Sequence, residues 1–345
     1  MYEISKVNEI KSSKSYKLLW LILSALVVAV FLLSLTVGKY QVGTFEVCQI
    51  LFQKIVPFER TWSPLAENMI LQVRLPRILA AMVVGAALAV SGAVFQGIFR
   101  NPLASPYTLG VSNGAGFGAA LAILMFNSSY AIQSFAMLFS LVAVGLTFLL
   151  SYKAKNSTIT LVLGGIIVGS LFSALISLIK FVADPFEKLP AIVFWLMGSL
   201  ASLNVDLFKT SLLFFIFFIG IIWLYRWRLN VLSLGDEEAK SFGVDVRRDR
   251  IIIIICCSFL TAAAVSISGI IGWVGLVIPH IGRMLVGPDF RKLLPVCILL
   301  GSAYLLLIDD LCRTLMTVEI PLGVITAIVG TPLFAYFMLS EKVNW

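Results

Sequence analysis

Apolar residues occur along this chain in long runs that are separated by shorter polar segments. A run of about 20 apolar residues can cross roughly 30 Å of hydrocarbon as an α-helix. The runs do not alternate polar and apolar residues, as the strands of a membrane β-barrel would. We therefore predict an all-α polytopic membrane protein with ten transmembrane helices. The predicted spans are 18–38, 77–98, 106–126, 130–151, 159–182, 206–225, 251–270, 272–287, 292–312 and 321–339.

The composition is typical of a membrane protein rather than of a soluble domain. Of the 345 residues, 60% are hydrophobic and 13% are charged, whereas about 25% of a soluble chain is charged. The formal charge of +8 is scattered between the apolar runs and forms no single patch, which disfavours a nucleic-acid partner. The five cysteines show no CxxC spacing, so we predict neither a disulfide framework nor a metal site.

The distribution of basic residues predicts the orientation of the spans. With a cytoplasmic N-terminus, about two thirds of the 26 Lys and Arg residues lie on the cytoplasmic side. We therefore expect both termini to be cytoplasmic. The predicted organisation is a cytoplasmic segment 1–17, a single transmembrane domain 18–340 with a long cytoplasmic connection at 226–250, and a cytoplasmic tail 341–345.

A short internal echo indicates an inverted repeat. Ser91-Gly92 precedes Pro102, and Ser268-Gly269 precedes Pro279 at the same distance. The two segments belong to spans that run in opposite directions, and inverted repeats are common in transporters.

Motifs of the common enzyme classes are absent from the sequence. His280 is the only histidine, and no HExxH, GxSxG or GxxxxGK[ST] pattern occurs. Gly114, Gly116 and Gly118 follow no predicted strand, which argues against a dinucleotide site. Small residues four positions apart are instead typical of close helix packing in membranes. A membrane-bound enzyme or assembly factor is therefore disfavoured.

Residues 100–106, RNPLASP, interrupt the helical pattern. Pro102 and Pro106 cannot both lie inside a regular helix, and the Asn-Pro and Ser-Pro pairs favour turns. Irregular backbone at membrane depth is tolerated where it is buried in protein or lines a cavity. The pattern fits a pathway-lining segment and a plain connector equally well.

The connection at 226–250 contains a short helix with an acidic start. Asp236, Glu237 and Glu238 suit a helix N-terminus, and Gly243 suits the position where the helix ends. Three carboxylates would be repelled by anionic lipid headgroups. We therefore predict that this helix docks a protein partner rather than lying on the membrane surface.

Charged residues also occur at the outer ends of two spans. Asp309 and Arg313 are four positions apart, which is the spacing of an intrahelical ion pair. Intramembrane carboxylates can also form proton relays, so a proton-coupled secondary transporter that uses Asp309 and Asp310 is an alternative function. Arg74 and Arg77 either extend to the interface or form an external basic docking site with Arg313.

Four motifs together resemble the FecCD-type permease family, the membrane subunits of ABC importers for iron–siderophore complexes, haem and vitamin B12. They are residues 74–116, the segment that begins Leu234-Gly235-Asp236-Glu237, SGIIGWVGLVIPHIGRML at 268–285 and EIPLGVITAIVGTPLF at 319–334. The resemblance extends from about residue 18 to 340. Residues 237–243 also resemble the importer signature E-A-A-x-x-x-G, with Glu238 in place of the first Ala.

The resemblance implies the type II ABC importer permease fold in the cytoplasmic membrane of a prokaryote. It implies a second permease subunit, identical or paralogous, with the translocation path between the two. It also implies two cytoplasmic ATPase subunits that bind ATP-Mg, an extracytoplasmic substrate-binding protein, surrounding lipid, and no cofactor bound by this chain. An iron–siderophore complex is the first expected cargo, followed by haem and cobalamin.

The family's functional positions match named residues of this sequence. Arg74, Arg77 and Arg313 match arginines that dock the binding protein. Asn101, Pro102 and Leu103 match the cytoplasmic gate, and Thr158 matches a second gate loop. The residues that match the ATPase-coupling helix are Leu234, Gly235, Asp236, Glu237, Glu238, Ala239 and Gly243.

Overall fold

A computed structural model describes residues 2–38, 40, 42–53, 60, 62–126, 128–153 and 158–339. The predicted tail 341–345 lies outside these residues. Within them the chain is helical and contains no strand. The helices are α1 (Tyr2–Thr36), α2 (Thr44–Phe52), α3 (Pro64–Asn68), α4 (Leu75–Phe99), α5 (Val111–Met125), α6 (Ser129–Lys153), α7 (Thr158–Val182), α8 (Lys188–Leu196), α9 (Val205–Leu224), α10 (Arg226–Leu234), α11 (Asp236–Ser241), α12 (Val246–Ser268), α13 (Val274–Val286), α14 (Phe290–Thr314) and α15 (Leu322–Leu339).

Each of the ten predicted spans corresponds to one apolar helix. Seven of these helices are long enough to cross a membrane, namely Tyr16–Thr36, Pro64–Phe99, Ser129–Tyr152, Ile159–Val182, Val205–Leu224, Val246–Ser268 and Phe290–Thr314. Three are shorter: Val111–Met125, Val274–Val286 and Leu322–Phe337. The all-helical prediction is therefore confirmed, while several predicted boundaries are not.

The second span begins 13 residues before its predicted start at 77. Ser63 caps α3 by accepting a hydrogen bond from the Ala66 amide at 3.1 Å, and Pro64 occupies the first turn, where a missing N–H costs nothing. A π-helical segment, Met69–Arg74, then joins α3 to α4. Polar residues interrupt the apolar pattern in this stretch, so hydrophobicity alone did not predict that the helix begins here.

The third span is shorter than predicted because the chain turns at Gly110. Pro106–Leu109 forms a 3-10 helix whose first residues are held by a capping box between Ser105 and Thr108. Gly110 has a φ of 77°, a conformation that favours glycine, and α5 starts at the next residue.

Close packing of glycines builds the centre of the fold around α4. A Cβ on Gly85 would collide with the carbonyl oxygen of Gly301 in α14, and one on Gly92 would collide with the backbone of Gly275 in α13. Gly114 in α5 packs in the same way against the backbone of α6. The prediction that small residues mediate helix packing is therefore confirmed on α4 and α5.

The residues of the internal echo occupy different structural settings. Gly92 lies in the middle of α4, whereas Gly269 follows the last residue of α12. Pro102 lies in a loop, whereas Pro279 lies inside α13. The echo therefore does not mark equivalent positions, and the inverted repeat stays a prediction that these residues do not support.

Contacts between connections define two ends of the helical bundle. Asn230 on α10 bonds to the α13–α14 connection, and Gly235 lies beside Arg100 at the end of α4. We call this the α11 end. At the opposite end, which we call the arginine end, Arg74 and Arg313 both bond to the last turn of α1.

Candidate functional site

Arg77 holds two carboxylates at the arginine end. Its Nε lies 3.1 Å from both carboxylate oxygens of Asp309, and its Nη1 and Nη2 lie 3.1 and 2.9 Å from the two oxygens of Glu319. The Asp309 side chain is fully buried, the Arg77 side chain is 11% exposed and the Glu319 side chain is 28% exposed. One guanidinium therefore links α4, α14 and the connection before α15.

Arg313 forms a second buried ionic contact one turn away. Its guanidinium pairs with Asp310 and donates to the Ser34 carbonyl oxygen at 2.7 Å. The Ser34 hydroxyl donates to Asp310 at 2.5 Å. The predicted Asp309–Arg313 pair is present at 3.8 Å, but it is the longer contact of each residue.

Arg74 completes the cluster by binding backbone rather than carboxylate. Its guanidinium donates to the carbonyl oxygen of Leu35 at 2.7 Å and to that of Tyr40. These groups lie at and just beyond the C-terminus of α1, where carbonyls have no helical partner. Arg74 is 3% exposed, so it stabilises the end of α1 and presents no free charge.

The docking role of Arg74, Arg77 and Arg313 stays a prediction, and the guanidinium groups of all three already have partners within the described chain. The structure brings the three residues to one end, as predicted. Arg74 and Arg313 are buried, and the Arg77 side chain is 11% exposed. A buried charge is tolerated only when it is paired and hydrogen-bonded. The same contacts place Asp309 and Asp310 in ion pairs, which the proton-relay alternative did not assume.

The α11 end is anchored by four polar contacts. Asp236 on α11 pairs with Arg250 on α12 at 2.5 Å, and Arg228 on α10 pairs with Asp249 at 2.7 Å. Asn230 donates to Asp289 at 2.6 Å and accepts from the Phe290 amide at 2.7 Å. Hydrogen bonds from Arg250 lower the pKa of the Asp236 carboxyl. These contacts fix α10 and α11 to α12 and α14.

The opposite face of α11 is exposed. The Glu237 side chain is 86% exposed, and its pair with Lys240 at 3.1 Å is a surface contact. Leu234 and Phe242 are 58% and 60% exposed at the two ends of the helix, while Ala239 is fully buried. The predicted acidic helix is confirmed: one face of α11 packs against the chain and the other face is exposed.

Gly243 ends α11 as predicted. Its φ is 74°, and its amide donates to the Lys240 carbonyl oxygen at 2.9 Å, while the next amide, that of Val244, donates to Ala239 at 3.1 Å. This pairing is a glycine C-cap that satisfies the last carbonyls of the helix.

The predicted gate residues form a tight turn at the end of α4. The Asn101 side chain accepts from the Leu103 amide at 2.9 Å, and the Ala104 amide donates to the Asn101 carbonyl oxygen at 3.0 Å. Asn101 and Leu103 are exposed, and Pro102 is partly buried. Thr158 begins α7. The gate role stays a prediction.

A groove between α5 and α7 was not predicted from the sequence. Its volume is about 640 Å³, and none of the described residues that line it is charged. Neutral polar groups line it, namely Tyr107, Thr108, Asn113, Ser170, Ser173 and Ser177. The spacing of the three serines on one face of α7 was the available signal. No group of three or more His, Cys, Asp or Glu side chains that could hold a metal ion occurs in the part of the chain that the structure describes.

Comparison with known proteins gives consistent matches over nearly the whole chain. Residues 26–340 match the model of the FecCD transport family. The molybdate import system permease protein MolB of Haemophilus influenzae is 44% identical over 324 residues, which cover 93% of this chain and 95% of that protein. The hemin transport system permease protein HmuU of Yersinia pestis is 39% identical over 281 residues, 79% of this chain and 83% of that protein.

A solved structure supports the same assignment of the fold. It is described as an inward-facing conformation of a metal-chelate type ABC transporter, with a TM-score of 0.83 and 43% sequence identity. The match covers 92% of this chain and 97% of that chain.

Proposed function

The chain belongs to the FecCD transport family as an ABC importer permease, and from this premise we propose that it carries a ferric chelate across the cytoplasmic membrane of a prokaryote. Two permease subunits would enclose the path. Two separate ATPase subunits would bind ATP-Mg, and an extracytoplasmic binding protein would deliver the cargo. In this arrangement both termini of the chain are cytoplasmic.

The observation that carries the proposal is the geometry of α11. Its buried face is fixed to α12 through the Asp236–Arg250 pair, and its other face presents Glu237, Glu238 and Phe242. A helix held on one side and free on the other can bind a moving partner and pass the movement to the spans behind it. This geometry supports an ATPase-coupling role for residues 234–243.

The gate would respond through the contact between α11 and the end of α4. A Cβ on Gly235 would lie 3.3 Å from Arg100 Nη1, so the turn at Asn101–Leu103 lies beside the start of α11. We propose that ATP-driven movement of α11 shifts this turn, together with the start of α7 at Thr158, and opens the path to the cytoplasm.

At the arginine end, docking would require an exchange of ionic partners. All three guanidinium nitrogens of Arg77 donate to Asp309 or Glu319. Glu319 is the more exposed of the two carboxylates and lies in the connection between α14 and α15. We propose that an acidic group of the binding protein displaces Glu319, while Arg74 and Arg313 keep the surrounding helix ends in place.

The neutral groove between α5 and α7 would form part of the path in the paired permease. Its hydroxyl and amide groups offer hydrogen bonds without fixed charge, which suits a bulky chelate that keeps its own metal ligands. Molybdate is a second candidate cargo, because the similarity to MolB extends over 93% of this chain.

The cargo is tested with the complete complex of permease, ATPase and binding protein in liposomes. Uptake is measured for a ferric siderophore, for haem, for cobalamin and for molybdate at matched concentrations. Saturable uptake of the ferric siderophore that the other three do not compete would support the proposal. Uptake of molybdate alone would show that molybdate, and not a ferric chelate, is the cargo.

A further inference from the structure

A cavity of about 580 Å³ lies at the α11 end, where α6, α7, α11 and α12 meet. One part of its wall is apolar and includes Phe148, Leu161 and Ile251. The other part is polar and includes Lys240, Arg247 and Arg250. The proposed transport function uses the Asp236–Arg250 pair at the wall of this cavity but gives the cavity itself no role.

The cavity lies at the level where the hydrophobic spans end. Among the described residues α6 ends at Lys153 and α7 begins at Thr158, and the apolar run of α12 begins at Ile251, directly after the charged residues 247–250. Residues at these positions lie at the boundary between hydrocarbon and headgroups, where tyrosine is enriched. The apolar wall therefore lies at the level of the lipid acyl chains, and the polar wall lies at the level of the lipid headgroups.

The basic residues of the polar wall differ in how they are paired. Arg250 is neutralised by Asp236 at 2.5 Å, and Lys240 contacts the exposed Glu237 at 3.1 Å. The Arg247 guanidinium lies 6.0 Å from the centroid of the Tyr152 ring. No carboxylate among the described residues lies within 4.0 Å of Arg247. Among the described residues, the wall therefore carries three basic groups and one acid, Asp236, and Arg247 is available to an external anion.

We propose that this cavity binds an anionic phospholipid. Arg247 and Lys240 would hold the headgroup phosphate, and Phe148 and Leu161 would contact the first segment of an acyl chain. Basic pockets between transmembrane helices are a recognised mode of anionic-lipid binding. A free phosphate would leave the apolar wall uncovered, and an acidic protein loop would not need it, so the combined chemistry of the two walls favours the lipid.

A bound lipid would reinforce the contact between two elements that transmit movement in the proposed mechanism. Lys240 belongs to α11, whereas Arg247 belongs to the first turn of α12. A headgroup held between them would add an anionic bridge beside the Asp236–Arg250 pair. Lipid binding itself does not rest on the identity of the cargo or on the proposed coupling role.

The test measures lipid retention by the purified complex in detergent, using native mass spectrometry. The probes are phosphatidylglycerol, phosphatidylcholine and inorganic phosphate. We expect retention of phosphatidylglycerol and a loss of its affinity of about fivefold in Arg247→Gln, because one basic residue near a headgroup contributes about that factor. Arg248→Gln removes the same charge from the next position, which does not line the cavity, and should change affinity by less than about twofold.

Other results would overturn the proposal. Equal retention of phosphatidylcholine would show that no anionic group is recognised, and equal binding of phosphate would show that the apolar wall has no role. Equal losses in Arg247→Gln and Arg248→Gln would exclude a defined site. Loss of the ATPase subunit from Arg247→Gln, with lipid retention unchanged, would show that the partner covers the cavity. Thermal unfolding of each variant shows that it is folded, and Arg247→Lys should restore most of the affinity.

Discussion

Charged residues gather at both ends of the bundle, and the two ends use them in opposite ways. At the arginine end the side chain of Arg77 is 11% exposed and is paired with two carboxylates of the same chain. At the α11 end the carboxylate of Glu237 is 86% exposed and has only a surface partner. A partner can therefore bind α11 directly, but it can reach Arg77 only by replacing a contact that already exists.

This contrast changes what a charge substitution at each end should do. A substitution on the free face of α11 removes a binding group and leaves the fold intact. A substitution of Arg77 removes the counter-ion of a buried acid, so it affects folding before it affects docking. Charge reversal at Arg74 and Arg77, which would be informative on an open surface, would here disrupt the end of the bundle.

The largest expected effect is the loss of stability in Arg77→Gln. The variant leaves Asp309 buried without its main partner, which costs about 3–5 kcal/mol. The measurement is thermal unfolding of the purified permease complex in detergent. Arg248→Gln, an exposed arginine at the other end, serves as the control and should unfold like the parent protein. Partial recovery is expected in Arg77→Gln/Asp309→Asn, and an unchanged transition in the single variant would contradict the assignment.

The next effect is loss of coupling in Glu237→Lys/Glu238→Lys. Reversed charges on the free face should lower ATP-dependent uptake by at least about tenfold, because like charges across an interface cost several kcal/mol. Stability should change by less than about 0.5 kcal/mol, as is usual for surface positions. Glu187→Lys, an exposed acid between α7 and α8, is the control. Uptake and ATPase retention equal to those of the parent would argue against the coupling role.

A smaller effect in the opposite direction is expected for Glu319→Gln. The substitution weakens the competitor for Arg77 while Asp309 still neutralises the arginine, so the binding protein should bind a few times more tightly. Binding is measured by surface plasmon resonance with the complex in nanodiscs. Asp206→Asn, which breaks an exposed pair with Lys209, should leave affinity unchanged. Weaker binding in Glu319→Gln would contradict the exchange.

The smallest effect is a pH dependence of the α11 anchor. Arg250 lowers the pKa of Asp236 in the folded chain, so the pair stabilises α11 above the unfolded pKa of an aspartate. That stability is lost as the pH falls through the lowered pKa. Limited proteolysis within 226–250 should therefore accelerate in acid, and Asp236→Asn should cleave at the acid rate at neutral pH. A variant with the parent's pH profile would contradict this role.

Local patterns in the sequence predicted local structure well. The ten apolar runs predicted ten helices, because helices in hydrocarbon must satisfy their own backbone groups. The acidic start and the terminal Gly243 predicted α11, because capping depends on residues within one or two turns. The first turns of the second span were not predicted, because polar residues near Arg74 interrupt the apolar pattern and the continuous apolar run begins only after them.

Long-range pairing could not be read from the sequence. Arg77 and Asp309 are 232 positions apart, and Glu319 lies in a motif that was recognised without a role for its carboxylate. Nothing in either local pattern shows that the three side chains converge. The spacing of the serines in the sequence indicates that they share one face of α7. The groove is also lined by Tyr107 and Asn113 from a separate segment, and the sequence does not show that the two segments meet.

The proposed function requires that ATP hydrolysis by a partner, acting through α11, drives import. The most direct measurement is cargo uptake by liposomes that contain the complete complex, with ATP supplied on the α11 side and a protonophore present. We expect uptake to require hydrolysable ATP and to continue when the proton gradient is collapsed. Uptake that needs no ATP and stops with the protonophore would contradict it and would favour a proton-coupled transporter that uses Asp309 and Asp310.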